Sequence, residues 1–263
     1  MSINPTTHRR EKKRKAADPA MYTDDTLAGI ENGMAATFSY NFKIKKPFHF
    51  NEAHKAFYDS IKCDDTNMTF VDGPAGSAKS YIAVLAALEL FKDKKIKNVI
   101  YIRSVIESAS RSIGSLPGEV DDKFLPYAMP LLEKVKEITD DATCLQLKAA
   151  NIISAIPVNF CRGLTFNDSM VIVDEIQNMT IEEATTILTR FGKNSRYVIC
   201  GDSKQSDIGK LSCIGKLFTA FDTEISVMNH INVFHFGESE IVRSKILKFI
   251  TKVIETIPRG ISK

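Results

Sequence analysis

The sequence predicts an α/β fold, a three-layer, doubly wound parallel sheet with a phosphate-binding loop after its first strand. Three observations carry that expectation. Short apolar runs without polar alternation, Thr69 to Val71, Val99 to Ile102, Ile152 to Ile156, Met170 to Val173 and Tyr197 to Cys200, suit strands covered on both faces. Helical stretches separate them, notably Ser80 to Phe91, Val120 to Ile138 and Ile181 to Phe191, and such alternation of strand and helix defines the α/β class. A turn of small residues, Gly73 to Ser80, joins the first strand to the first of these helices.

The elements can be justified in chain order. Residues 1–20 carry six Lys and Arg against Glu11 and Asp18, so the net charge of +3 comes from the N-terminal stretch and the rest is slightly acidic. Residues 1–45 therefore read as a basic, flexible extension, either a solvated tail or an arm for nucleic acid, whose phosphates reward cations by counterion release. Residues 46–263 read as one domain. Its first helix runs from Phe50 to Ile61, capped by Asn51, with Phe50, Ala53, Phe57 and Ile61 on one face. A last helix over Glu240 to Ile257 is expected to bury Val242, Ile246, Phe249, Ile250, Val253 and Ile257, leaving Lys245, Lys248 and Lys252 in solvent. A chain of 263 residues, 44% hydrophobic and 25% charged, excludes wholesale disorder, collagen and a small disulfide scaffold. The longest apolar stretch, Tyr81 to Leu88, is far short of the roughly 20 residues that span a bilayer. Five scattered cysteines and a polar, basic N-terminus predict reduced, buried thiols in a cytoplasmic protein.

Three segments carry chemistry. Gly73-Pro74-Ala75-Gly76-Ser77-Ala78-Lys79-Ser80 fits Gly-x-x-x-x-Gly-Lys-Ser except at Ala78. Small residues let successive N–H groups wrap the β- and γ-phosphates of ATP, with Lys79 neutralising phosphate oxygens and Ser80 ligating Mg²⁺. Alanine before the lysine costs about 1–2 kcal/mol if that position must take a positive φ. The strand Met170 to Val173 ends in Asp174 and Glu175, which suits a carboxylate in the Mg²⁺ shell followed by a general base for water. Beyond the strand Tyr197 to Cys200, Gly201-Asp202-Ser203-Lys204-Gln205 brings Gln205 within reach of a γ-phosphate or the attacking water, since ligand groups gather at the carboxyl ends of parallel strands.

In this order the three segments resemble the PhoH family, phosphate-starvation-inducible ATPases of bacteria and their phages. The resemblance extends from Phe50 to about Glu255. It takes in Tyr101-Ile102-Arg103-Ser104, Gly114 to Gly118, Cys161 to Asp168, Leu188-Thr189-Arg190-Phe191-Gly192 and Ile241-Val242-Arg243. That family is in turn similar to the first motor domain of superfamily-one helicases, whose third motif reads Gly-Asp-x-x-Gln. The resemblance implies a RecA-like motor domain that hydrolyses ATP with Mg²⁺, coupled to RNA or single-stranded DNA. It sets His54 where the helicases carry an adenine-reading glutamine, although His54 also reads as a plain surface residue of its helix. The long connection Ser104 to Pro117, with Arg103 before it and Arg111 within it, suits a nucleic-acid backbone or a subunit contact, as does Arg162 with Thr165, Asn167 and Asp168.

Phosphoryl transfer commonly needs an arginine opposite the γ-phosphate, and one motor domain leaves no room for a second in cis. A homo-oligomeric ring, six being usual for such domains, would supply it from a neighbour. Arg190 and Arg243 are the candidates; Val242-Arg243-Ser244 resembles the helicase arginine motif and also suits action in cis, whereas Arg190 suits a helix C-terminal cation. Two rival functions use the same loop, a slow nucleotide-gated oligomeric switch and a phosphotransferase. Glu175 argues against the second, because activating water is a liability there.

Overall fold

The computed structural model describes residues 42–104 and 120–242, with positions 246, 249–250, 252–253 and 256 beyond them. The basic run 8–15, the connection with Arg111 and Gly114 to Gly118, Arg243 and Ile257 lie outside the described residues.

Six strands form one sheet in the order β3-β2-β4-β5-β1-β6, every pairing parallel. They are β1 (Met68–Asp72), β2 (Asn98–Arg103), β3 (Ile153–Pro157), β4 (Ser169–Asp174), β5 (Arg196–Gly201) and β6 (Ile231–His235). Parallel pairing forces a crossover between each pair of neighbours and brings every carboxyl end to one edge. That edge carries Asp72, Arg103, Asp174 and Gly201.

Helices α1 (Glu52–Lys62), α2 (Lys79–Lys92), α3 (Val120–Ile138) and α4 (Asp141–Ala149) cover one face. Helices α5 (Ile181–Leu188) and α6 (Ile214–Phe221) pack into the core of the other, and the short α7 (Glu224–Met228) leads into β6. The strands alternate as a pleat requires. Val71, Val99, Tyr101, Ile172 and Val198 enter the first core, while Phe70, Ile100, Ile102, Val173 and Ile199 enter the second. Local chemistry sets the helix starts. Asn51 accepts the His54 N–H at 2.9 Å, Asp140 accepts that of Thr143 at 2.7 Å, and Thr180 with Glu183 forms a reciprocal cap. Helix α2 buries nine side chains, because the sheet lies on one side and residues 42–50 cross the other.

The five expected strands are present, each within two residues of its expected ends, and α3 has its expected bounds. Several details differ. Packing starts at Phe42, ahead of residue 46: its ring stacks on Phe91 with centroids 6.3 Å apart, and Lys45 N–H donates to Ile138 at 2.8 Å. Helix α5 stops at Leu188, and Phe191 instead makes a parallel bridge to Phe166. Strand β6 and helices α4, α6 and α7 were not expected; β6 is a half-exposed edge strand, and the helices are short, so neither gives a long apolar signature. Cys144, Cys161, Cys200 and Cys213 are buried, whereas Cys63 is exposed. The last helix is the largest departure. Val242, Ile246, Phe249, Ile250 and Val253, all expected to be buried, are 42–62% exposed against the described residues.

Gly201 shows how tightly the carboxyl edge is closed. A methyl group there would meet Ile214 Cδ1 at 2.5 Å and Ile176 Cγ2 at 2.7 Å. Gly201→Ala is therefore expected to destabilise the fold by about 1–3 kcal/mol, read from the midpoint of denaturant unfolding.

Candidate active site

The loop between β1 and α2 is shaped by its own side chains. Ser77 Oγ donates to the Pro74 carbonyl at 2.7 Å, and the Lys79 ammonium, folded inside the loop, donates to the carbonyls of Gly73 at 2.6 Å and Pro74 at 3.0 Å. Ala78 has φ +61° and ψ +16°, left-handed backbone that a Cβ resists. The positive φ allowed for at this alanine is thus present. Gly76, also left-handed at φ +83°, has no such penalty.

Asp174, the last residue of β4, is 6% exposed and fully engaged. Its Oδ1 accepts the Ser80 hydroxyl at 2.8 Å and the Glu175 N–H at 3.2 Å, and its Oδ2 accepts the Tyr101 phenol at 2.5 Å. Burial, then the Asp174 charge and bond, push the Tyr101 hydroxyl far above the usual phenol range, so it acts as a donor. Glu175 takes φ +58°, turning the chain into a 3₁₀ turn, Ile176–Asn178. That turn returns Gln177 Nε2 to the Glu175 carboxylate at 2.5 Å, while Gln177 Oε1 accepts the Asp202 N–H at 3.0 Å. Burial and the Asp174 charge raise the Glu175 carboxyl above its ordinary value, offset in part by Arg103.

The Gly201-to-Gln205 loop is tied down on both sides. Ser203 donates through N–H and Oγ to Asp72 at 2.8 and 2.6 Å, and Asn178 and Asp207 bond reciprocally at 3.1 and 2.9 Å. Asp202 is 6% exposed; its Oδ1 takes the Lys204 N–H at 3.0 Å, and burial raises its carboxyl, offset in part by backbone hydrogen bonds from Lys204 and Ala75.

These loops enclose a cleft of about 530 Å³ at the carboxyl edge, within the range of small-molecule sites. Of the expected residues, Ala75, Gly76, Ala78, Lys79, Ser80, Asp174, Glu175 and Gln205 line it. Gly73, Pro74 and Ser77 lie buried behind it as the loop's frame. Arg190 is remote. Its carbonyl accepts the Phe166 N–H ahead of β4, at the amino edge of the sheet, and its Nε donates to the last turn of α5 at 3.2 Å. His54 also lies outside the cleft and is 3% exposed, not on the surface. Its Nε2 is 3.1 Å from the Glu240 carbonyl and 3.3 Å from that of Ser77, so this nitrogen carries the proton. Phe48, Phe50 and Phe236 surround the ring, Nδ1 has no partner among the described residues, and burial lowers the imidazole pKa despite both bonds. Asn167 and Asp168 serve the turn before β4: Asn167 Oδ1 accepts the Lys193 N–H at 2.8 Å, and Asp168 pairs with Lys97 at 2.9 Å.

Sequence reasoning missed Gln177 and Lys134, and it assigned Arg103 to a different surface; all three line the cleft. Gln177 sits two residues beyond the acid pair, which was the one available signal. The segment after β6 was missed as well. Phe236 packs against Gly73, and the Val242 N–H donates to the Gly76 carbonyl at 3.0 Å, so residues 236–242 clasp the phosphate loop.

A glycine-poor phosphate loop entering α2, an acid pair ending β4 and a six-stranded parallel sheet together define a P-loop NTPase domain of the open α/β class. Within that class the chain belongs to the PhoH-like protein family, which matches residues 49–255. It is 32% identical over 189 residues to the PhoH-like protein of Bacillus subtilis, covering 72% of this chain and 57% of that one. It is 30% identical over 199 residues to Protein PhoH of Escherichia coli K12, covering 74% and 54%. The chain thus spans little more than half the length of these relatives. Among solved structures, the Pif1 helicase of Candida albicans aligns with 73% of this chain and 40% of that one, at 14% identity and a TM-score of 0.33. No described helix is long and apolar enough to cross a membrane.

Two outcomes follow from the site's geometry. Ala78→Gly relieves the left-handed strain and is expected to stabilise the nucleotide-free protein by about 1 kcal/mol, the gain being trimmed by glycine's greater freedom when unfolded. Tyr101→Phe strands Asp174 Oδ2 and is expected to cost about 1–3 kcal/mol. Both are read by denaturant unfolding without nucleotide.

Proposed function

We propose that this chain is a Mg²⁺-dependent ATPase that couples hydrolysis to RNA or single-stranded DNA and works in the cytoplasm as a homo-oligomeric ring, six subunits being favoured. The observation that carries the reading is the convergence of Lys79, Ser80, Asp174, Glu175 and Gln205 on one cleft. Phosphoryl transfer asks a protein mainly for positioning and charge neutralisation, and this set supplies both.

In this reading Lys79 leaves the Gly73 and Pro74 carbonyls to neutralise the β- and γ-phosphates, and the loop N–H groups up to Ser80 cradle them. Ser80 and Asp174 fit Mg²⁺, since hydroxyl and carboxylate oxygens are its preferred donors and already lie 2.8 Å apart. When bound, the ion would neutralise charge on the β- and γ-oxygens. Glu175, held by Gln177, accepts the proton of the attacking water. Gln205 hydrogen-bonds that water or the γ-phosphate and reports which nucleotide is bound. His54 supports the site from behind, holding the Ser77 carbonyl in place of reading adenine directly. Arg190 faces away from its own cleft, so it serves catalysis only from a neighbouring subunit; Arg243 remains the second candidate. The basic residues 8–15 suit a nucleic-acid backbone.

Lys79→Ala is expected to abolish hydrolysis and weaken ATP binding. Glu175→Gln is expected to keep ATP bound while turnover falls by about 10²–10⁴-fold, measured by phosphate release and equilibrium nucleotide titration. The same assay with RNA or single-stranded DNA should show stimulation. Normal turnover by Glu175→Gln sinks the base assignment, and indifference to both nucleic acids favours the slow nucleotide-gated switch.

A further inference from the structure

Among the described residues three cations line the cleft, and they come from three elements. Lys79 opens α2 within the phosphate loop, Lys134 stands on α3, and Arg103 ends β2. Lys134 Nζ donates to the Pro130 carbonyl of its own helix at 3.2 Å. Of the three, only Arg103 comes from the strand beside the acid pair.

The sheet fixes where Arg103 stands. In the parallel ladder its Cα is the partner of that of Asp174 on β4. The pleat alternates along both strands, so Arg103 continues the row of Val99 and Tyr101, and Asp174 continues that of Met170 and Ile172. Both rows face α2, whose first turn carries Lys79 and Ser80. Tyr101, one step back on the same row, already reaches Asp174 Oδ2. Burial and the Asp174 charge raise both Tyr101 and Glu175, and the Arg103 charge opposes the rise in each. Strands β4 and β5 separate β2 from β1, so the acid pair lies between Arg103 and the phosphate loop. Neither carboxylate of that pair holds the guanidinium. Among the described residues Asp174 takes Ser80, Tyr101 and the Glu175 N–H, and Glu175 takes Gln177. An arginine is always charged, and its planar fork of N–H donors matches phosphate oxygens in a way a lysine cannot.

We propose that Arg103 is the cation that meets the γ-phosphate in this chain's own cleft, from the flank opposite Lys79. The proposal rests on the ATPase reading above and names a group that reading lacked, since Arg190 is remote from its own cleft. As the water oxygen bonds to the γ-phosphorus, its proton passes to Glu175 and the bond to the β–γ bridging oxygen breaks, releasing ADP. Arg103 donates to the non-bridging γ-oxygens throughout, where charge must be neutralised. The site then completes its own charge set in cis, with no arginine borrowed from another copy.

The test compares Arg103→Ala and Arg103→Lys with the wild type, each checked for folding by circular dichroism and denaturant unfolding. Arg103→Ala is expected to lower turnover by about 10³-fold. In equilibrium titrations with Glu175→Gln present to prevent hydrolysis, it is expected to weaken ATP binding about tenfold and leave ADP binding unchanged, because only ATP carries the γ-phosphate. Arg103→Lys should recover only part of either loss. Guanidinium ion at non-denaturing concentration should raise the turnover of Arg103→Ala and leave that of Lys79→Ala unaltered. A mixture of Arg103→Ala with Lys79→Ala chains should stay inactive, since neither chain holds both cations. Near-normal turnover by Arg103→Ala overturns the proposal, as does equal weakening of ATP and ADP. Recovery of activity in the mixture places Arg103 in trans and overturns it too. Loss confined to the nucleic-acid-stimulated rate assigns Arg103 to a nucleic-acid surface instead. A wild type that binds ATP without hydrolysing it sinks the ATPase reading alone, because the preference for ATP over ADP and its loss in Arg103→Ala are read without turnover.

Discussion

The site hangs on one buried carboxylate. Asp174 takes the Ser80 hydroxyl, the Tyr101 phenol and the Glu175 N–H, and so joins the end of β4 to the phosphate loop and to β2. A carboxylate this deep would be intolerable without donors, and each donor comes from a different part of the chain. The parallel sheet makes that possible, because β1, β2 and β4 all deliver their last residues to the same edge. Gln177 extends the network from Glu175 to the Asp202 backbone, which makes the third loop part of the same unit.

Much of this was legible in the sequence because it rests on local pattern. Unbroken apolar runs marked five strands, and Gly73 to Ser80 marked the turn that enters the next helix. The edge strand Ile231–His235 was invisible because Asn232 and His235 break its apolar run and only one neighbour covers it. His54 was misjudged for a different reason. Its sequence neighbours are polar, but Phe48, Phe50 and Phe236 close over it from three directions, a tertiary fact that no window of residues contains. The last helix misled in the opposite sense, since an amphipathic pattern specifies that a face is to be covered and not which molecule covers it.

Two of the seven described non-glycine residues with left-handed backbone sit where the loops meet the cleft. Ala78 and Glu175 both hold left-handed backbone, one just before the loop lysine and the other just after Asp174. Each costs of order 1 kcal/mol or more and persists only because its surroundings dictate it. At Glu175 the return is geometric, since the reversal brings Gln177 onto its carboxylate. At Ala78 a glycine would give the same shape unstrained, and nothing in the structure explains the alanine.

The distribution of the cysteines has a practical side. Four thiols are sealed in the core, and burial pushes those of Cys161 and Cys213 up to about 12 and 11, so alkylating reagents at neutral pH meet little thiolate there. Cys63 alone is open to solvent, at the C-cap of α1, where the carbonyls of Ile61 and Cys63 accept Arg196 at 3.1 and 2.7 Å. It lies on the way into β1, at the amino edge. A single dye or spin label attached to the native chain would therefore report from the side away from the nucleotide cleft, without any cysteine having to be engineered in or out.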